Sequence, residues 1–261
     1  MLRIGALDVP DGAFVLMAIV NRTPDSFYDR GATYAMGAAL ERVDRVVADG
    51  ADMVDVGGVK AAPGEDVDAA EEIRRTVDLV AAIRAAHPTL PISIDTWRAE
   101  VAREALAAGA DVVNDAWGGV DPALAEVAAE AGAGIVCTHA GGLPPRTRPH
   151  RVTYDDVVAD IVARTTTLAE KAVAAGVDRE LVLVDPGHDF GKTTRHSLEA
   201  TRRLDELVAT GWPVLVALSN KDFVGETLDV PLGERLTGTL AATAAEASAV
   251  VRAMMSATTS S

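Results

Sequence analysis

Met17-Ala18-Ile19-Val20-Asn21-Arg22-Thr23-Pro24-Asp25-Ser26-Phe27 is the stretch whose reading decides the fold. The apolar run 14–20 has the length of a strand buried on both faces. It ends abruptly at Asn21, and Thr23-Pro24-Asp25-Ser26 then favours turns and side-chain-to-backbone hydrogen bonds. The same change from apolar run to polar loop recurs down the chain. It is found at Asp55-Val56-Gly57-Gly58, Ser93-Ile94-Asp95-Thr96, Val113-Asn114-Asp115, Cys137-Thr138-His139, Val184-Asp185-Pro186-Gly187 and Leu218-Ser219-Asn220-Lys221. Each apolar run delivers a polar residue at its carboxyl end, and that repetition is the argument for both fold and site.

Working outward, residues 2–13 read as a short hairpin or cap with Pro10-Asp11-Gly12 as its turn. Helix is expected over 34–50, where Leu40, Val43, Val46 and Val47 share a face and Gly50 is the stop. Further helices are expected over 69–86, over 97–108 with Asp95-Thr96 as its cap, from Asp121-Pro122, over 154–175, over 196–210 and from about 232. Strands are expected at 53–56, 91–94, 111–113, 134–138, 181–184 and 214–218. The loop 140–152, with Pro144, Pro145, Pro149, Arg146, Arg148 and Arg151, is expected to be mobile or to face substrate. Strand and helix alternate every ~25–40 residues, as parallel βαβ units do. The expected fold is one α/β domain over 1–261, a TIM-type (β/α)8 barrel rather than an open doubly wound sheet, because the glycine-rich first turn of the latter is missing. No eighth strand is visible after 218, so the barrel is expected one strand short.

Composition narrows the function. Of 261 residues 49% are apolar but only 4% aromatic, so the core is built from Val, Leu, Ile and Ala. No apolar run reaches the roughly 20 residues of a membrane span, no secretory pattern opens the chain, and Cys137 stands alone, which together point to a cytoplasmic protein. A formal charge of −15 argues against a nucleic-acid partner. An anionic substrate would need local cations, for which Arg22, Arg30, Lys60, Arg146, Arg148, Lys192 and Lys221 lie near strand ends.

Barrel enzymes assemble their sites from the carboxyl ends of several strands, and Asn21, Asp95, Asn114, Asp185 and Lys221 all fall there. Two decoys are set aside. Gly187-His188-Asp189-Phe190-Gly191-Lys192-Thr193 is one residue short of a P-loop, and His139 and His188 lack a zinc-type spacing. Cys137, inside an apolar strand, is expected to be an inert core residue.

The run Asn21 to Gly31 resembles the first signature of the dihydropteroate synthase family. The resemblance continues in order through Asp55-Val56-Gly57-Gly58, Pro63-Gly64, Ser93-Ile94-Asp95-Thr96, Asn114-Asp115, Asp185-Pro186-Gly187, Phe190-Gly191-Lys192-Thr193, Ser219-Asn220-Lys221 and Arg235-Leu236-Thr237-Gly238. It implies a (β/α)8 barrel that joins 6-hydroxymethyl-7,8-dihydropterin diphosphate to p-aminobenzoate in folate biosynthesis, releasing pyrophosphate. By resemblance Asp95, Asn114, Asp185 and Lys221 line the pterin pocket, with Asp95 and Lys221 as the catalytic pair. Phe190 and Ser219 border p-aminobenzoate, and Asn21 holds the diphosphate and its Mg2+. A homodimer through the late Ala-rich helices is also implied.

The departures fall on one half of the site. Gly58-Val59-Lys60-Ala61-Ala62-Pro63-Gly64 stands where the family reads Gly-Glu-Ser-Thr-Arg-Pro-Gly, Asn220 replaces an arginine, and Asp189 replaces a glycine. The family's final strand, with its Arg-x-His, is missing. Divergent second copies in the family share such loops, so the expectations are a transferase or, alternatively, a catalytically inactive pterin-binding or regulatory paralogue. A methyltetrahydrofolate-binding methyltransferase-like protein is the third reading. Arg22 and Lys60 are expected to replace part of the lost cationic charge at the diphosphate.

Overall fold

The computed structural model describes residues 2–10, 12–23, 35–147 and 152–258, with side chains up to residue 247. The stretch 24–34, with Arg30, and residues 148–151, with Arg148, lie outside the described residues. Six strands form one parallel sheet in chain order: β3 (Met17–Asn21), β4 (Met53–Gly57), β5 (Ile92–Asp95), β6 (Val112–Asp115), β7 (Gly134–Thr138) and β8 (Val182–Asp185). They alternate with α1 (Met36–Ala48), α2 (Ala69–Ala86), α3 (Ala99–Ala107), α4 (Leu124–Ala131) and α5 (Val157–Ala174). A separate antiparallel hairpin, β1 (Leu2–Ile4) with β2 (Leu7–Val9), precedes them. This is the wall of an α/β barrel of the TIM type.

Period-two alternation along the strands sorts the residues into layers. One face carries Val54, Val56, Ile92, Ile94, Val113, Ile135, Val182 and Val184 against the helices. On the other face Met53, Val112, Val136 and Leu183 form an apolar plug with Ile4 and Val9 of the hairpin. Two residues further along each of those strands, on the same face, stand Asp55, Asn114, Thr138 and Asp185. The hairpin thus closes one end with hydrocarbon, while the other end is polar. Strand register staggers these polar residues: Gly57 pairs with Asn21 and Asp95, and Asp95 with Asn114, while Asp55 pairs with Ser93, Asn114 with Val136, and Thr138 with Asp185.

Several expectations are corrected. Helix α3 starts at Ala99, so Asp95 is not its cap; Thr96 Oγ1 accepts from Arg98 N at 3.2 Å, and Asp121 Oδ2 accepts from Ala99 N at 2.8 Å. Asp121-Pro122 forms a turn before α4, with Asp121 Oδ1 accepting from Ala123 N at 3.0 Å. Helix α5 begins at Val157 because Asp156 caps it, leaving Tyr154 outside, where its hydroxyl donates to Gly191 O at 2.6 Å. The helix expected over 196–210 is two helices, α6 (Thr194–Arg202) and α7 (Leu204–Val208), broken at Arg203. After them come α8 (Asp222–Leu228) and α9 (Leu236–Thr258). No helix among the described residues is long and apolar enough to cross a membrane.

The largest correction concerns 214–218, which forms a single bridge, Val214 to Val184, instead of a strand. Among the described residues no strand follows it. The same gap leaves β3 at the edge of the sheet. The strand begins at Met17 and not at residue 14, and Phe14 and Leu16 are 56% and 62% exposed instead of buried on both faces. Arg22 N donates to Gly57 O and Leu16 O accepts from Met53 N, so Met17 and Ile19 turn their backbone groups away from β4. An apolar edge of this kind templates pairing between molecules. Ile19→Lys is therefore expected to lower concentration-dependent light scattering at least severalfold while moving the melting temperature by no more than ~2 °C. Unchanged scattering would show that the edge is not where molecules meet.

Candidate active site

The polar layer opens into a cavity of about 890 Å3 lined by Asn21, Asp55, Lys60, Asp95, Asn114, Asp185, Phe190, Ser219 and Lys221 among others. Asp55 and Asp185 are 4% and 5% exposed, and Asp95 is open only to the cavity. Asn114 Nδ2 donates to Asp55 at 3.2 Å, and Asp185 Oδ1 accepts from Gly187 N at 2.6 Å. Burial raises the carboxyl pKa of all three aspartates. For Asp95 the charges of Asp55 and Glu72 add to that rise, and Lys221 opposes it. Lys221 also draws Asp185 down. The floor therefore offers carboxyl groups short of donors, the chemistry that grips an amino-pyrimidine edge. Two buried hydroxyls that line the cavity, Thr23 Oγ1 after β3 and Thr138 Oγ1 at the end of β7, have no hydrogen-bond partner among the described residues.

An aromatic wall stands beside the floor. Trp117 meets Phe190 edge-on at 5.0 Å and Trp97 at 6.4 Å, and Lys221 Nζ lies 4.4 Å from the Phe190 ring centre. The loop bearing Phe190 is held by Lys192, whose Nζ is within 2.6–3.0 Å of His139 Nδ1 and the carbonyls of His139, Gly187 and Phe190. Burial pushes Lys192 down to about 7, and three carbonyl oxygens around one nitrogen counter that by favouring the charged form. Burial first, then Lys192, pushes His139 down to about 4, so its neutral ring accepts at Nδ1 and donates from Nε2 to Asp160 Oδ2 at 2.7 Å. Lys192 is a structural tie and not a phosphate lysine. At Gly187 and Gly191, both at positive φ, a Cβ would collide with the carbonyls of His139 and Ala140.

Sequence reasoning placed Asn21, Lys60, Asp95, Asn114, Asp185, Phe190, Ser219 and Lys221, and all eight line one cavity. Arg22 is not brought to it: its Nη1 donates to Arg75 O at 2.9 Å, on the α2 side. Asp55 was not singled out because it sits mid-strand between valines, although an aspartate in such a run is itself a signal. Thr138, at one of the strand-end junctions, also lines the cavity, as do Trp117, Arg42 and Arg195, which no sequence motif marks. Cys137 is buried, which pushes its thiol up to about 12, as an inert core residue requires. Arg146, in the loop expected to be mobile or to face substrate, donates to Ala62 O at 3.1 Å and Glu65 O at 2.5 Å, closing the altered 58–64 loop from above.

This fold, with buried carboxylates and an aromatic wall at the strand ends, is that of the family described as pterin binding enzyme, to which the chain belongs by a match over residues 17–255. Within it the chain has the features of a divergent dihydropteroate synthase paralogue. It is 63% identical over 242 residues to inactive dihydropteroate synthase 2 of Mycobacterium leprae (strain TN), covering 91% of this chain and 83% of that one. Among solved structures it resembles Yersinia pestis dihydropteroate synthase in a sulfonamide drug complex, with TM-score 0.88 and 34% identity, covering 95% and 90% of the two chains. It also resembles Xanthomonas albilineans dihydropteroate synthase with 4-aminobenzoic acid, with TM-score 0.80 and 34% identity, covering 90% and 84%.

The raised Asp95 carboxyl has a stability consequence. A folded pKa above the unfolded value leaves no penalty well below the ordinary aspartate pKa, where both states hold the proton, and a penalty that grows as pH rises from there to the folded pKa and is complete above it. Asp95→Asn is expected to raise the melting temperature at pH 8 by about 3 °C or more, and by less at pH 5. Melts of both proteins at the two pH values check this, and an equal shift at both would remove the charge as the cause.

Proposed function

We propose that this protein binds a reduced pterin and does not form dihydropteroate. The floor of Asp55, Asp95, Asn114 and Asp185, lining one cavity with Lys221, is the observation that carries the reading. Asp185 and Asp95 would anchor the pterin's amino and ring N–H groups, Asn114 would orient it, and Lys221 would sit against its ring oxygen or nitrogen. The orphan hydroxyl of Thr138, level with Asp185, offers one more hydrogen bond to the ring.

Transfer chemistry makes a second demand, stabilisation of a departing diphosphate. On that side the 58–64 loop supplies Lys60 alone, Arg22 is engaged with α2, and no strand follows 214–218 among the described residues. Asn21 offers one neutral amide oxygen, and the described residues hold no cluster of three His, Cys, Asp or Glu fit for a metal. Magnesium would therefore arrive with a diphosphate, held between its oxygens and Asn21, and not as a resident ion. The M. leprae relative's description as inactive supports this reading. The transferase reading retains one observation in its favour, Lys221 Nζ lying 4.4 Å from the Phe190 ring centre, a pair that an aromatic amine could approach.

Binding of 6-hydroxymethyl-7,8-dihydropterin, followed by calorimetry, is expected for the parent and weakened roughly tenfold to a hundredfold by Asp185→Asn, the loss of one charge-assisted pair. With the pterin diphosphate, p-aminobenzoate and magnesium, no dihydropteroate is expected. Turnover that disappears in Asp185→Asn would restore the transferase reading, and a folded parent that binds no pterin would remove both.

A further inference from the structure

Phe190 is preceded by a residue whose placement bears on what the second half of the pocket takes. Asp189 lines the cavity at φ +68. Its carboxylate reaches across 33 residues of chain to the segment after Lys221, Oδ2 accepting from Asp222 N at 2.6 Å and Oδ1 from Phe223 N at 3.3 Å. Ser197 Oγ donates to Oδ1 at 3.3 Å and accepts from the Asp189 N–H at 3.1 Å. Tied at both ends in this way, the carboxylate cannot swing aside without stripping two N–H groups of their acceptor.

We infer that Asp189 excludes aromatic acids from the Phe190 side of the pocket, and that the molecule bound there beside the pterin is an uncharged aromatic compound. The inference rests on the pterin reading of the floor. The aromatic character comes from Phe190 and Trp117, whose rings wall this end. The charge preference comes from the groups around them. Asp189, Asp222 and Glu226 all line the cavity here, with Glu226 receiving the Thr194 hydroxyl from the opposite wall. Of the cations facing them, Lys221 interacts with Asp95 and Asp185 below. Arg235 Nη1 is shared between Asp222 Oδ1 at 2.8 Å and Asn220 O at 2.9 Å. Arg195 stands exposed on the rim, where solvent screens it. A carboxylate entering this end meets an internal carboxylate already holding the two N–H groups beside Lys221. An amide or other neutral substituent meets acceptors to which it can donate.

Calorimetric titration of p-aminobenzoate and of p-aminobenzamide, each into the full chain with and without 6-hydroxymethyl-7,8-dihydropterin, tests this. The parent is expected to bind the amide at least tenfold more tightly than the acid. Asp189→Asn removes the charge and keeps an acceptor for one of the two N–H groups, so the acid should gain tenfold or more while the amide changes less than threefold. Asp189→Gly, which suits the positive φ, should shift the preference the same way, and melting curves report whether either variant is folded. A parent that binds acid and amide equally, or an acid affinity that neither folded variant improves, overturns the inference. Pterin binding is read separately in the same series, so failure of the floor as a pterin site is distinguished from failure of this assignment.

Discussion

Three carboxyl groups, Asp55, Asp95 and Asp185, are held around one floor with burial raising the pKa of each, and the rest of the structure is arranged to make that tolerable. The inward face of their strands brings them to one cavity, the β1–β2 hairpin closes the opposite end with hydrocarbon, and Lys221 provides the cation that faces two of them. An isolated ionised carboxylate in such surroundings is costly, and a ligand presenting several N–H donors relieves the cost by making the hydrogen bonds the protein withholds. Strain in the free protein and affinity for a donor-rich ring are two readings of the same arrangement.

That logic separates floor from rim. The floor residues lie on strands, where neighbours on both sides dictate direction. The rim residues lie on loops, and there each side chain found a partner within the chain: Arg22 on the α2 carbonyls, Arg146 on the carbonyls of 62 and 65, Asp189 on the N–H groups after Lys221. A rim whose polar groups satisfy one another has less left to offer a diphosphate or an acid. On the proposed reading, the half of the chemistry that needs only recognition is kept better than the half that needs charge stabilisation.

Much of the floor was legible in the sequence. A polar residue closing each apolar run gave the strand ends, and Asn21, Asp95, Asn114 and Asp185 were found that way. Asp55 escaped because it lies two residues inside its strand, in a position that the layer arrangement explains only once the inward face is known. The run 214–218 has the composition of a strand and makes one bridge, since a ladder depends on the neighbour and not on the segment alone. The direction of Arg22 and the reach of Asp189 depend on contacts 53 and 33 residues away, which no local pattern encodes.

Gly187 and Gly191 bracket the loop after β8 so closely against the carbonyls of β7's exit that no larger residue fits at either place. For a lineage drifting from an ancestral activity, this loop has a fixed path and few positions free to vary. Asp189, between the two glycines, already has the backbone twist that an aspartate tolerates, so a change of chemistry there needs no change of shape. A copy of a gene can in this way lose or exchange its second substrate in a single codon, while natural selection on folding alone goes on preserving the outline of the old pocket.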